Sequence, residues 1–192
     1  FMKINGSWEI KNSQEKYKNH WMRVREDKVI RPDGKDGIVG VVELMEGVSV
    51  LALDDNGYVY LTEQFRYTIS RKSIEVISGG IEKEEPLVAA KRELKEEAGI
   101  IADEWIFMGK FDPFTTAIKS SHTLYLARKL KFVEASPEGT EQIKIRKIKF
   151  EDALKMVMEG EITQGSSCLV ILKTSEYLKN KIQSNASQLK IC

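Results

Sequence analysis

With 30 basic and 29 acidic residues interspersed along 192 positions, the chain has a net charge of +1. That balance gives no electrostatic reason to expect a nucleic acid or an anionic membrane as partner, since both call for a surplus of positive charge. A composition of 42% hydrophobic and 31% charged residues fits one globular domain with room for a short subdomain. Two cysteines, Cys168 in an apolar run and Cys192, make no disulfide framework, so a reducing, cytoplasmic setting is expected. No transmembrane span or signal peptide is read, and Phe1 ahead of Met2 reads as an added residue.

Residues 7 to 45 read as short strands: one around Trp8 to Ile10, one from Trp21 to Ile30 and one from Gly37 to Leu44. The turn Arg31-Pro32-Asp33-Gly34 joins the last two as a hairpin. Such a small antiparallel unit cannot bury itself, so it needs the main domain or a second subunit to cover a face. Next come Val48 to Leu53 and Tyr58 to Gln64, a hairpin around Asp54-Asp55-Asn56-Gly57, where Asn-Gly is the turn signal. Gln64-Phe65-Arg66-Tyr67 follows, and then a strand from Ser73 to Ile77. Taken alone, Arg66 fits a surface salt bridge as well as it fits an anion clamp.

The segment from Gly79 to Ile100 carries the chemistry. A helix is predicted from Pro86, at home in the first helical position, to Ala98, with Gly99 as its C′ residue. Leu87, Ala90, Leu94 and Ala98 form an apolar stripe that docks one face on a sheet. Glu93, Glu96 and Glu97 gather on another face within one turn, with Arg92 one turn before Glu96. Like charges at these spacings cost a few tenths of a kcal/mol per pair on a bare helix, and more when partly buried. A cation would relieve that cost, and carboxylate oxygens suit Mg2+ or Mn2+. A solvated acidic face is the plainer alternative for an isolated Glu-Glu pair.

After this helix, Trp105 to Phe111 and Ser121 to Leu130 read as strands around a loop at 112 to 120. His122 belongs to the strand pattern and reads as structural, since no second histidine or cysteine stands at metal-ligand spacing. Residues 133 to 142 form an acidic turn-rich loop before a strand from Ile143 to Phe150. A helix from Glu151 to Gly160, with Ala153, Leu154, Val157 and Met158 as its stripe, precedes a last helix from about Ser166 to Leu178. The polar residues beyond are expected to fray.

The run Arg92-Glu93-Leu94, Glu96-Glu97 and Gly99-Ile100 resembles the second half of the Nudix box position by position. Glu84 stands seven residues before Arg92, as in the box, but only four residues separate it from Gly79, so the loop is one residue short. Whether the carbonyl of Gly79 or of Gly80 would serve the metal is therefore open. The flanks resemble the subgroup that cleaves ADP-ribose. This implies an α/β/α sandwich on a mixed sheet, preceded by an N-terminal antiparallel strand subdomain. The expected division is 1–45 for the subdomain, 46–180 for the hydrolase domain and 181–192 for the tail.

The resemblance implies hydrolysis of a nucleoside diphosphate derivative, ADP-ribose first, by a homodimer that exchanges its N-terminal sheets and needs Mg2+ or Mn2+. It assigns Glu93, Glu96 and Glu97 as metal ligands with the Gly79 carbonyl as a further one, and Arg92 as the group that orients Glu96. Arg66 would meet the substrate's phosphates, and Glu75 stands where the subgroup has Glu before Pro-Ala-Gly, here replaced by Ile77-Ser78-Gly79. Lys119-Ser120-Ser121 replaces an acidic stretch that borders the substrate in the subgroup, so Lys119 is either a substrate contact or a solvent-facing lysine. Glu141, or Glu138 nearby, matches the loop glutamate that helps activate water. An ADP-hexose or similar nucleotide sugar is the alternative substrate, and a non-catalytic Nudix scaffold the alternative to an enzyme.

Overall fold

The computed structural model describes residues 3–136 and 143–189, and its contacts divide the chain into two units. One is formed by the residues up to Glu46 together with Phe111–Ser121, the other by Gly47–Lys110 together with the residues from His122 on.

The first unit is a five-stranded sheet of β1 (Lys3–Asn5), β2 (Trp8–Lys18), β3 (Met22–Ile30), β4 (Asp36–Leu44) and β10 (Ile118–Lys119), in that order. The hairpin between β3 and β4 closes as expected, with the Arg31 amide donating to Lys35 O at 2.8 Å and Gly34 at φ 78°. β2 runs to Lys18, well beyond the expected Ile10. Its second half, Asn12 to Lys18, carries almost no apolar residue, so no period-2 pattern announced it. Cross-strand polar pairs hold it instead: Ser13 Oγ donates to the buried Asp27 at 2.5 Å, and Arg23 Nε meets Glu15 at 2.8 Å. The segment at 112 to 120, read as a loop of the main domain, contributes β10, which pairs parallel with β4. Ile4, Tyr17, Trp21 and Ile38 stay exposed on this unit.

The second unit is a mixed seven-stranded sheet. β5 (Gly47–Leu53) lies at its centre, antiparallel to β6 (Tyr58–Arg66) and β8 (Ile77–Gly80) and parallel to β11 (His122–Phe132). β7 (Arg71–Glu75) and β12 (Lys144–Lys149) pair with β6, and β9 (Ile100–Phe111) flanks β11. Every residue of β5 is buried, so both faces of the sheet are covered. Val48, Val50 and Ala52 join Tyr125 and Ala127 of β11 in a cluster with Ala89, Ala90 and Leu94 of α1 (Pro86–Ala98). The alternate residue Ser49 points to the other face, where its hydroxyl donates to Ser166 of α3 (Gly165–Leu189) at 2.8 Å. Helices on both faces of a mixed sheet make the expected α/β/α arrangement, with α2 (Phe150–Met158) against α3.

Three local readings change. The turn after β5 is set by Asp54, whose Oδ1 accepts from the amides of Asn56 and Tyr58 at 2.9 Å, and only Gly57 has positive φ. A two-residue Asn-Gly turn would need positive φ at both positions. In α2 the buried residues are Phe150 and Ala153, while Met158 is 72% exposed at the helix end. α3 continues to Leu189, past the expected end at Leu178. Beyond that point its side chains to 184 are exposed, so the apolar stripe fades before the helix does.

Candidate active site

Helix α1 ends as the sequence foretells: Gly99 sits at φ 60° and its amide donates to Leu94 O and Lys95 O. Burial of Ala89, Ala90 and Leu94 on the sheet fixes the rotation of the helix. The three box glutamates then fall along a gradient. Glu97 is buried, Glu93 has 13% of its side chain exposed and Glu96 has 36%.

Arg92 is the hub of this face. Its Nε and one terminal nitrogen meet Glu84 Oε1 at 3.0 and 2.8 Å, and the other terminal nitrogen meets Glu93 at 2.8 Å and Glu96 at 3.0 Å. A further bond reaches Gly80 O at 3.2 Å. Burial opposes the guanidinium charge, but hydrogen bonding to Glu84, the nearby Glu93 charge and hydrogen bonds to Glu96 and Glu93 outweigh it and raise the pKa. The partnership with Glu84 was not read from sequence, although its spacing before Arg92 was the available signal. Despite the missing loop residue, Glu84 is held in place.

The two glycines before the helix have different neighbours. Gly80 O accepts from Arg92, whereas Gly79 lies against Glu93, so that a Cβ at residue 79 would stand 1.9 Å from Glu93 Oε1. Only glycine admits the carboxylate there.

Among the described residues, no three Asp, Glu, His or Cys side chains stand ready to share one ion. The expected convergence of Glu93, Glu96 and Glu97 is thus not preassembled, because Arg92 draws Glu93 and Glu96 to itself. The donor chemistry still fits a hard divalent cation. Three carboxylates share one guanidinium, Glu97 lies on the same helix, and the surplus is negative and oxygen-only.

A second arginine–carboxylate centre joins β6 to β7. Arg66 grips Glu75 with two bonds, Nε to Oε1 at 3.1 Å and a terminal nitrogen to Oε2 at 2.5 Å, and the Glu75 side chain is only 4% exposed. The salt-bridge alternative for Arg66 is realised, with a buried partner in place of a surface one. Both residues line a concavity of about 430 Å³ with Arg71, Ser73, Thr163 and Gln164. Arg71 donates to Thr163 at 2.8 Å. Gln164 caps α3: its Oε1 accepts from the Ser167 amide at 2.7 Å and from both serine hydroxyls that follow. Ser167 Oγ in turn accepts the Val76 amide at 2.9 Å, tying α3 to the strand that enters the box. The Gln-Gly-Ser-Ser run before an apolar stretch was the signal for this cap.

Lys119 belongs to the first unit. Its side chain is 76% exposed, with Nζ 3.8 Å from Glu43. Glu138 and Glu141 lie outside the described residues. His122 is packed, and a Cβ at Gly47 would stand 2.5 Å from its ring. No helix among the described residues is long and apolar enough to cross a membrane.

Comparison with known proteins completes the picture. Residues 43–164 match the NUDIX domain, and residues 8–42 match the nucleoside diphosphate sugar hydrolase N-terminal domain. The chain is 31% identical over 156 residues to an ADP-ribose pyrophosphatase of Bacillus subtilis (strain 168), covering 78% of this chain and 80% of that protein. It is 31% identical over 155 residues to another of that name from Mycobacterium tuberculosis, covering 78% and 74%. It is also 26% identical over 165 residues to a methanol dehydrogenase activator of Bacillus methanolicus, covering 83% and 89%. A crystal structure of an ADP compounds hydrolase superposes with a TM-score of 0.81 over 93% of this chain and 98% of that one, at 15% identity, which speaks to the fold. A mixed sheet between helices, with Arg92 joining Glu84 before one helix to Glu93 and Glu96 on it, together with the NUDIX match and these relatives, marks a nucleotide diphosphate hydrolase. The chain belongs to the Nudix family and is a pyrophosphohydrolase.

Proposed function

We propose that the chain hydrolyses ADP-ribose to AMP and ribose 5-phosphate, one water being consumed at the pyrophosphate, with Mg2+ or Mn2+ as cofactor. The observation that supports the cofactor is the negative surplus around Arg92, where three carboxylates meet one guanidinium, and the substrate reading leans on the similarity to two ADP-ribose pyrophosphatases. Glu93, Glu96 and Glu97 would hold the ion with the Gly79 carbonyl, which the packing of Glu93 on Gly79 favours over that of Gly80. Such an ion supplies neutralisation of pyrophosphate charge and acidification of water. Arg92 keeps Glu96 aimed, and Glu141 is the candidate general base, with Glu138 as its neighbour and substitute.

Arg66 and Glu75 would meet the substrate together from their concavity. Glu75 takes two edges of the guanidinium and sets its plane for the phosphates. Lys119 is a further contact to negative charge. Residues 1–45 serve as the dimerisation subdomain of a cytoplasmic homodimer, 46–180 as the hydrolase domain and 181–192 as a tail. Exposed Ile4, Tyr17, Trp21 and Ile38 favour a second subunit as the cover for the N-terminal sheet. An ADP-hexose or similar nucleotide sugar is the second substrate reading, and Lys119-Ser120-Ser121 in place of an acidic stretch favours it.

A phosphatase-coupled phosphate-release screen over ADP-ribose and other nucleoside diphosphate sugars, with Mg2+, with Mn2+ and with chelator, tests the proposal. ADP-ribose should give the highest kcat/KM, and activity should vanish with chelator. No release from any of these compounds would overturn it.

A further inference from the structure

The end of helix α1 is held from outside. After β11 the chain runs as Val133–Ser136 past the last turn, where the Val133 amide donates to Gly99 O at 2.8 Å and the Ser136 amide to Glu96 O at 3.0 Å. Phe132, at the start of this strap, lies 5.2 Å from the Tyr60 ring. The last carbonyls of a helix have no partner within it, and here the strap supplies one to the very residue read as a catalytic ligand.

Gly99 is where this becomes specific. Its positive φ alone would tolerate asparagine, which also serves as a C′ residue. A Cβ at residue 99, however, would stand 2.5 Å from Val133 O and 3.0 Å from Ala135 N, and both are backbone atoms that no rotamer change can move. Gly160, past the end of α2, offers the contrast: φ is 76°, and nothing lies within 4 Å of the Cβ position. The two glycines share a backbone conformation, and only one has a strap across it.

We propose that Gly99 and the Ser136 amide are positioning groups for Glu96, with glycine required at 99 by the docking of Val133–Ser136 more than by the helix cap. The inference rests on the reading of Glu96 as a metal ligand. Losing the strap frees the last helical turn, and displacing a catalytic group by about an ångström can cost up to a hundredfold in rate.

Gly99→Asn and Ser136→Pro are compared with Gly160→Asn and the parent protein. Gly160→Asn reports the cost of asparagine at positive φ alone, and Ser136→Pro removes the donor without touching the cap. Three readouts are taken: turnover of ADP-ribose, Mn2+ binding by calorimetric titration without substrate, and amide exchange at Ser136. Against Gly160→Asn, Gly99→Asn should lose about ten- to a hundredfold in kcat with KM nearly unchanged and bind Mn2+ about tenfold more weakly. Ser136→Pro should follow it in both. In the parent the Ser136 amide should be protected, and in Gly99→Asn it should exchange freely. Equal kcat and Mn2+ affinity in Gly99→Asn and Gly160→Asn, or an unprotected Ser136 amide in the parent, would overturn the proposal. If the parent hydrolyses no ADP-ribose the substrate reading fails, and the Mn2+ affinities and exchange rates still decide the role of the strap.

Discussion

Two arginines organise carboxylates in the second unit, and they do it in opposite ways. Arg66 grips the buried Glu75 carboxylate with two bonds, while 37% of its own side chain stays exposed on the concavity. Arg92, exposed to a similar degree, meets three carboxylates and a carbonyl, so here carboxylates outnumber the guanidinium that joins them. A bidentate pair on a buried carboxylate is a structural element that also orients a guanidinium. An unbalanced, partly exposed cluster is costly by itself and becomes favourable when a cation arrives. The comparison separates what holds the site from what reacts in it.

The sharpest way to break the comparison is to remove charge from each centre in turn. Glu97→Gln keeps size and takes away one negative charge from the surplus. Turnover should fall on the order of a thousandfold or more, the range expected when several kcal/mol of transition-state stabilisation are lost. The melting temperature should hold or rise, since repulsion is relieved. Steady-state kinetics beside thermal unfolding checks both halves.

Arg66→Ala should behave in the reverse sense. It strands the buried Glu75 carboxylate, costing about 1 to 3 kcal/mol and several degrees of melting temperature. KM should rise about tenfold or more if the guanidinium also meets phosphate. Adding Glu75→Gln to Arg66→Ala should restore much of the stability and none of the KM. A role in substrate binding alone would leave the melting temperature untouched, so thermal unfolding separates the two roles.

These contrasts also show where sequence runs out. Elements whose pattern is written in apolar periodicity or in glycine and proline were legible: α1 from Pro86 to Gly99, the Arg31-Gly34 hairpin and the central strands. The polar half of β2 and the polar end of α3 were not, because cross-strand charge pairs and helix continuation leave no apolar period. Within the site, the glutamates, Arg92, Arg66 and Glu75 could all be named from spacing and resemblance. The Arg92–Glu96 pairing was legible too, from its i, i+4 spacing, whereas Glu84 to Arg92 and Arg66 to Glu75 were not, because they depend on a loop path and a strand register that spacing does not encode. Nor does spacing tell the surroundings of Gly79, which packs on Glu93, from those of Gly80, whose carbonyl accepts from Arg92.

The smallest expected effect lies away from both centres. Burial holds the His122 imidazole below its usual value. The unfolded chain therefore takes up a proton near pH 6.5 and the folded chain only at lower pH. Between those values the unfolded state binds more protons, so stability is complete above about pH 6.5 and falls as pH drops below it. Melting temperatures from pH 7.5 to 5 should show a shallow decline that His122→Gln reduces.

The account stands on the carboxylate surplus of α1 holding a divalent ion. Calorimetric titration of Mn2+ into the parent protein and into Glu97→Gln, without substrate, tests this most directly. The parent should bind Mn2+ with an affinity that Glu97→Gln weakens at least about tenfold, in step with its loss of turnover. Equal Mn2+ affinity in the two proteins, with hydrolysis retained by Glu97→Gln, would contradict it.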